Sequence, residues 1–269
     1  MSRLKKPGIP RGVIPSRSII DRRTGQIVGP VVPIAKEDWP YSEISPAEVL
    51  WRYMDFWKFD DFLAKSALYF SRPDKFIDPF EGRLTEANKR KISASDEAFQ
   101  AAYRIERSAE EAEVSREIMR RFLFICCWHR ARKESREMWT AYTSGAESVA
   151  VTTSAKALSR FLPSKRFVQS PVKYHSETFR RTEFGHTSLY FYKPAAYQFE
   201  REFRLLLAPR EDESVAESEI GRHVPVNLKK LVHRVILHPK ATSEFTEKVR
   251  EVCKKHLGHL RIELSALLP

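Results

Sequence analysis

Glu200, Glu202 and Arg204 occupy alternate positions in Tyr197-Gln198-Phe199-Glu200-Arg201-Glu202-Phe203-Arg204. That spacing puts three side chains on one face of a β-strand. Read as a strand through Leu207, the segment carries Tyr197, Phe199, Arg201, Phe203, Leu205 and Leu207 on one face. The other face carries Gln198, Glu200, Glu202, Arg204 and Leu206. The first face is mostly core, and the second holds two carboxylates about 7 Å apart with a guanidinium beside them. A rigidly anchored pair of acids suits chemistry on a sugar or a cation. The same residues fit two plainer arrangements: a charged outer face of an antiparallel sheet, or an amphipathic helix seated on Phe199, Phe203 and Leu206. On spacing alone the plainer arrangements come first.

Other chemistry-bearing groups are less complete. Cys253-x-x-His256-x-x-His259 has metal-ligand residue types, but three residues at a helix end, with no upstream Cys or His pair, fall short of a zinc pattern. His129-Arg130-Ala131-Arg132-Lys133 follows an apolar run and is either a phosphate-receiving loop or a solvated basic one. Cys126-Cys127 lies inside that run, where a thiol is inert. Trp139 and Tyr142 stand at helical spacing, which suits a core stripe before it suits a base-stacking platform. Asp78, Glu81 and Glu202 would hold Mg²⁺ only if the fold brought them together.

The chain that must position these groups has 269 residues, a formal charge of +12, 42% hydrophobic and 12% aromatic residues. That is enough for one large core, since single cores grow to roughly 250 residues. No apolar run approaches the roughly 18 residues that span a bilayer, so no membrane is expected. The first twenty residues lack a secretory apolar region. With three cysteines, two of them adjacent, a disulfide framework is not expected. These readings make a cytoplasmic protein with reduced thiols the expectation. A polyanion is the natural partner of so basic a chain, nucleic acid first, because each neutralised phosphate releases counterions; the alternative is that the charge serves solubility.

The first forty residues hold six prolines, four glycines, eight Lys or Arg and three acids, the composition of an arm. Residues 1–44 are therefore read as a basic Pro/Gly-rich arm and 45–269 as one α+β domain. Within the arm, Asp21 to Val28 reads as a turn followed by an extended stretch. Strands are predicted at Val49 to Met54, Ala67 to Ser71, Phe122 to Trp128, Ser148 to Thr153, Phe167 to Tyr174, Tyr197 to Leu207, Leu231 to Leu237 and Leu260 to Leu264. Helices are predicted at Phe56 to Ser66, Thr85 to Arg121, Glu134 to Thr143, Ala155 to Phe161 and Glu244 to His256. Arg72 to Gly82 contains two prolines and reads as an ordered loop anchored by Phe76 and Phe80. Without a βαβ period or a glycine-rich nucleotide loop, the fold class is α+β and not doubly wound.

Three motifs in order, Leu68-Tyr69-Phe70-Ser71-x-Pro73-x-x-Phe76-x-Asp78-Pro79-Phe80-Glu81, then Met138-Trp139-x-x-Tyr142, then Glu200-x-Glu202-x-Arg204, resemble an uncharacterised bacterial family. It is marked by the signature F-S-x-P-x-x-F-N-D-P-F-E. The likeness covers about Val49 to Leu267. Ile77 stands where that family has Asn, and Trp128-His129 replaces its Phe-Ser after the cysteine, so His129 inherits no role. At lower specificity the layout resembles that of ADP-ribosyltransferases, which implies a mainly antiparallel split sheet with flanking helices and NAD as substrate.

By that resemblance Arg52 or Tyr53 contacts NAD, Tyr69 and Ser71 support the nicotinamide ribose, Glu202 is catalytic, and Glu200 orients the nucleophile. Arg204 holds the carboxylates or meets diphosphate. Thr152-Thr153-Ser154 is a second-ranked middle motif. The resulting expectation is a cytoplasmic NAD-dependent ADP-ribosyltransferase-like enzyme, a toxin or phage-defence effector acting at nucleic acid, with a regulatory protein partner. Two alternatives stay open: a non-catalytic nucleic-acid-binding module, and a metal-dependent nuclease.

Overall fold

The computed structural model describes residues 17–20, 27–31, 44–76, 78, 81–82, 120–162, 167–175, 188–209, 213, 215–258 and 261–267. In chain order the strands and helices are β1 (Arg17–Ile20), β2 (Ile27–Val31), β3 (Val49–Asp55), α1 (Phe56–Lys65), β4 (Ala67–Ser71), β5 (Phe124–Arg130) and α2 (Arg136–Tyr142). They continue with β6 (Ser148–Ser154), α3 (Ala155–Phe161), β7 (Phe167–Pro171), β8 (Lys173–His175), β9 (Tyr192–Pro194) and β10 (Glu202–Leu207). The last are β11 (Gly221–Pro225), α4 (Leu228–Leu231), β12 (Arg234–Leu237), α5 (Ser243–Leu257) and β13 (Ile262–Leu264). Side-chain oxygens of Ser135, Ser154, Asn227 and Thr242 accept backbone N–H groups at the starts of α2 to α5, satisfying donors that the helices cannot.

Strand runs β11-β4-β5-β3-β6-β12-β13 in the main sheet, with β10 pairing β5 and β7 pairing β10. Its ladders are antiparallel apart from β12–β13, so this is a mainly antiparallel α+β fold, as the absence of a βαβ period implies. The strand β5 decides its shape. One edge is taken along its length by β10, from Glu202↔His129 to Leu207↔Phe124. The other edge is shared: β3 pairs at one end (Leu50↔Arg130, Trp51↔His129) and β4 at the other (Ser71↔Ile125). Between them, around Cys126 to Trp128, the two strands diverge and the sheet splits.

The strand β5 is apolar on both faces because both are covered. Phe124, Cys126 and Trp128 join the large core under α1, α3, α4 and α5, with Leu50, Met54, Phe203 and Leu205. Ile125 joins Leu206, Tyr190 and Phe191 on the opposite side. There Trp51 and Tyr53 also pack with Met138 and Trp139 of α2.

Several expected elements are redrawn. Tyr197 to Leu207 is not one strand: Ala195–Glu200 is a 3₁₀ helix entered from Pro194, Arg201 is left-handed at φ 41°, and β10 begins only at Glu202. Tyr197 and Phe199 consequently do not line a core face, and Phe199 is 41% exposed. The strand expected from Phe122 begins at Phe124, Leu231 ends a short helix before β12, and a 3₁₀ turn at Pro73–Lys75 opens the loop after β4. Phe76 packs on the core as an anchor should, whereas Phe80, Ile77, Pro79, His259, the turn 21–26 and nearly all of Thr85 to Arg121 lie outside the described residues.

Candidate active site

The chain reaches the Glu200-Glu202 segment through two short pieces. Tyr174 of β8 lies opposite Lys193 of β9 in a parallel pair, and Pro194 then turns the backbone into the 3₁₀ helix. That helix ends in a tight reversal pinned at each peptide. The Glu200 carbonyl accepts from His129 Nδ1 at 2.6 Å, and the Arg201 carbonyl accepts from Arg130 N at 3.0 Å. Glu202 N donates to the Tyr174 hydroxyl at 2.8 Å and its carbonyl accepts from Val172 N at 2.9 Å. A non-glycine residue in the left-handed region is uncommon, and here it lies between the two acids.

The reversal gathers five ionisable side chains into one buried cluster. Lys193 Nζ sits 2.5 Å from Glu200 Oε2 and 2.6 Å from Glu202 Oε1. Arg204 donates from Nε to Glu202 Oε2 at 2.5 Å, and from Nη1 and Nη2 to Glu81 Oε1 and Oε2 at 2.6 and 2.8 Å. Its Nη1 also meets the Tyr190 carbonyl at 2.6 Å. The Tyr142 hydroxyl donates to Glu200 Oε1 at 2.6 Å. Arg204, Glu81, Glu202, Glu200 and Lys193 are all buried. Buried charges persist only when paired in this way.

Two cations face three carboxyl groups, and the imbalance falls on Glu200. Burial, then the hydrogen bond and charge of Glu202, raise its carboxyl to about 7 against the pull of Lys193. Burial would raise Glu202 as well, but Arg204 and Lys193 override it and hold that carboxyl well below the usual range. Burial disfavours the charged Lys193, yet Glu202 and Glu200 keep it protonated beyond an ordinary lysine. Cys127 lies on the same face of β5, and burial together with Glu202 pushes its thiol well above the ordinary value. It is an inert thiol, as expected of a cysteine in an apolar strand.

Exposed residues adjoin Glu200 on the chain and in space. Tyr142, expected in a core stripe with Met138 and Trp139, is instead 37% exposed, since α2 ends there while the two earlier residues are buried. Phe199 is exposed beside Glu200, and Arg201 is exposed with no ion pair among the described residues. Arg132 and Lys133 are exposed on the loop after β5, next to Arg130, which bonds the Arg201 carbonyl.

The structure thus brings Glu200, Glu202 and Arg204 together but separates Arg52 from them. Arg52 alternates with Leu50 and Met54 and lies on their side of β3; its Nη2 donates to the Tyr69 carbonyl at 3.1 Å and its guanidinium stands 6.0 Å from the Trp128 ring. Arg52 therefore meets the Tyr69 backbone where the sheet splits, from the face away from Glu202. The side chains of Tyr69 and Ser71 alternate with Leu68 and Phe70 of the large core and lie on the other face, Ser71 opposite Ile125. Tyr53 lies on the Glu202 face, buried edge-on against Trp139, with its hydroxyl accepting from Ser135 N. The Tyr69 ring packs 5.0 Å from His223, and Ser71 Oγ donates to the Arg72 carbonyl at 3.5 Å. Thr152 and Thr153 are buried in β6.

Lys193 and the pairing of Glu81 with Arg204 are the parts that sequence reasoning missed. The arrangement that needed Asp78, Glu81 and Glu202 around Mg²⁺ is not found among the described residues: Glu81 and Glu202 do converge, but on the Arg204 guanidinium. No group of three His, Cys, Asp or Glu that could hold a metal occurs among the described residues, nor does a helix long and apolar enough to cross a membrane.

No family model matches the chain, and a search of curated proteins finds no relative. Among solved structures, the chain is similar to Thermus sp. 2.9 DarT in complex with NAD+, at 12% identity and a TM-score of 0.39 over 83% of this chain and 97% of that one. The same protein in complex with ADP-ribosylated ssDNA matches at 9% identity and 0.37, over 84% and 96%. Its complex with carba-NAD+ matches at 10% identity and 0.36, over 83% and 96%.

Proposed function

We propose that the protein is an NAD-dependent ADP-ribosyltransferase-like enzyme acting on nucleic acid or a nucleic-acid-associated target, in the manner of a toxin or phage-defence effector. The observation that carries this reading is the unlike setting of two neighbouring buried carboxyl groups. Glu202 is clamped between Arg204 and Lys193, while Glu200 meets Lys193 and the Tyr142 hydroxyl, and burial with Glu202 beside it raises its carboxyl to about 7. Environments that drive a carboxyl pair apart in this way suit acid–base work.

When the nicotinamide–ribose bond breaks, its electron pair leaves with nicotinamide and positive charge develops on the ribose. An ionised Glu200, beside the exposed Tyr142, Phe199 and Arg201, stabilises that charge. It also accepts the proton of the incoming nucleophile as the new bond to the ribose carbon forms. Glu202, to which the family resemblance assigns catalysis, acts from behind: its fixed charge raises the basicity of Glu200, and Arg204 and Lys193 hold it in place. The exposed rings of Tyr142 and Phe199 offer stacking surfaces, and Arg201 an exposed guanidinium for diphosphate. Arg132 and Lys133 supply cations for a nucleic-acid backbone.

Radiolabelled NAD should be consumed or transferred by wild type in the presence of single-stranded DNA or RNA, and not by Glu200→Gln. Unchanged turnover in that variant, or none in wild type, would remove the reading. A non-catalytic nucleic-acid module is favoured by one observation, that both Glu202 oxygens are already taken by Arg204 and Lys193. It requires salt-sensitive binding that is unaltered in Glu200→Gln together with no NAD consumption.

A further inference from the structure

His129 is buried on β5, directly opposite Glu202 in the β5–β10 register. Its Nδ1 lies 2.6 Å from the Glu200 carbonyl. A carbonyl oxygen only accepts, so Nδ1 carries the proton and donates. Burial, with the positive charge of Arg201, holds the ring neutral against the pull of that carbonyl, which leaves Nε2 as a lone-pair acceptor. That nitrogen is buried and has no hydrogen-bond partner among the described residues. A buried acceptor without a donor costs free energy, so the ring is retained here at the expense of one nitrogen for the bond that the other makes.

What that bond fixes is the end of the 3₁₀ helix. Its last carbonyls have no partner within the helix, and the Glu200 carbonyl is the one from which the chain reverses through Arg201 into β10. The neighbouring peptides are held by backbone groups or by Tyr174; this one is held by a core side chain wedged edge-on against Tyr53 at 6.0 Å. We infer that His129 is the positioning residue for Glu200, setting the peptide from which its carboxyl hangs between Tyr142 and Lys193. The inference extends the proposed function, because it treats Glu200 as the proton-exchanging group. Glu200 faces Lys193 from β9, Glu202 from β10, and Tyr142 from α2, with Arg204 behind Glu202. His129 itself faces Arg201 from the reversal and Glu137 from α2.

The test reads the Glu200 carboxyl directly and needs no turnover. Protein labelled with ¹³C at glutamate carboxyls is titrated by NMR, the Glu200 signal being the one absent from Glu200→Gln. Wild type should titrate near 7. His129→Leu, which removes the donor, should lower the midpoint by about one pH unit or more, a tenfold change. His129→Asn, whose amide nitrogen takes the place of Nδ1, should stay within a few tenths of wild type. Should His129→Leu fail to fold, His129→Gln serves, because its amide reaches the Nε2 position and leaves Nδ1 unreplaced; it should shift as His129→Leu does. A folded Leu or Gln variant with the wild-type midpoint would overturn the inference. If the midpoint moves while wild type consumes no NAD, the positioning stands and the proposed reaction falls.

Discussion

Arg204 and Glu81 meet as a bidentate pair across 123 residues of sequence, both side chains buried, at 2.6 and 2.8 Å. Removing one member leaves an uncompensated buried charge, at a cost of about 3–5 kcal/mol. Glu81→Gln keeps the shape and removes the charge, so thermal unfolding should shift down by on the order of 10 °C for a domain of this size. The same variant should lose NAD turnover, because Arg204 also fixes Glu202. A melting temperature within 2 °C or so of wild type would mean the pair is not the buried keystone that its geometry indicates.

Acidity gives a second expectation. The folded value of Glu200, about 7, lies above its ordinary 4.5. Its contribution to stability is therefore fully present below 4.5, declines as pH rises, and is gone above about 7. Glu202 has the opposite sign: its value is depressed, so its contribution is present above the ordinary value and lost as pH falls. His129, His233 and His238 are lowered, chiefly by burial, and lose stability toward acid. The melting temperature of wild type minus that of Glu200→Gln should accordingly fall between pH 4.5 and 7, since the histidines cancel in the difference. A flat difference would place Glu200 at an ordinary acidity.

The grouping of Glu200, Glu202 and Arg204 was legible in the sequence for a reason that holds only in part. Period-two spacing does place Glu202 and Arg204 on one face of β10, but Glu200 joins them through the left-handed turn at Arg201. The signal against a continuous strand was Pro194, which opens the 3₁₀ helix. Lys193 left no local signature, because a single lysine before a proline reads as surface until β8 and β9 pair. Glu81 belonged to a visible motif, yet its partner is 123 residues away and only the tertiary fold joins them. The buried strand β5 was readable from its uninterrupted apolar run; its double use by β3 and β4, which splits the sheet, is a matter of long-range pairing that periodicity does not encode.

The turn at Arg201 separates a folding role from a functional one. A non-glycine residue in the left-handed region costs about 1–2 kcal/mol, and glycine would remove that cost while adding about 0.5–1 kcal/mol of unfolded-chain entropy. Arg201→Gly should therefore leave the melting temperature within a few degrees of wild type. Turnover should still drop, because the guanidinium is gone and the reversal carrying Glu200 gains freedom. Arg201→Lys keeps the turn and the charge and should retain most activity. Equal activity in the Gly and wild-type proteins would show that neither the turn nor the charge matters.

Arg52 tests the boundary of the site. Its guanidinium ties β3 to β4 through the Tyr69 carbonyl where the sheet splits, on the face away from Glu202. A hydrogen bond from a charged donor is worth about 1.5–3 kcal/mol, so Arg52→Ala should melt several degrees lower. The geometry makes its effect on NAD small, within about twofold in KM, less than 0.5 kcal/mol at a tenfold change per 1.4 kcal/mol. The family resemblance instead makes Arg52 an NAD contact, for which KM should rise tenfold or more at little cost in stability. Measured together, KM and melting temperature separate the two. A large KM effect without a thermal one would move the NAD site from the rim of Tyr142, Phe199 and Arg201 into the gap between β3 and β4, and Glu200 would then have to act on a ribose reached from the other side of β5.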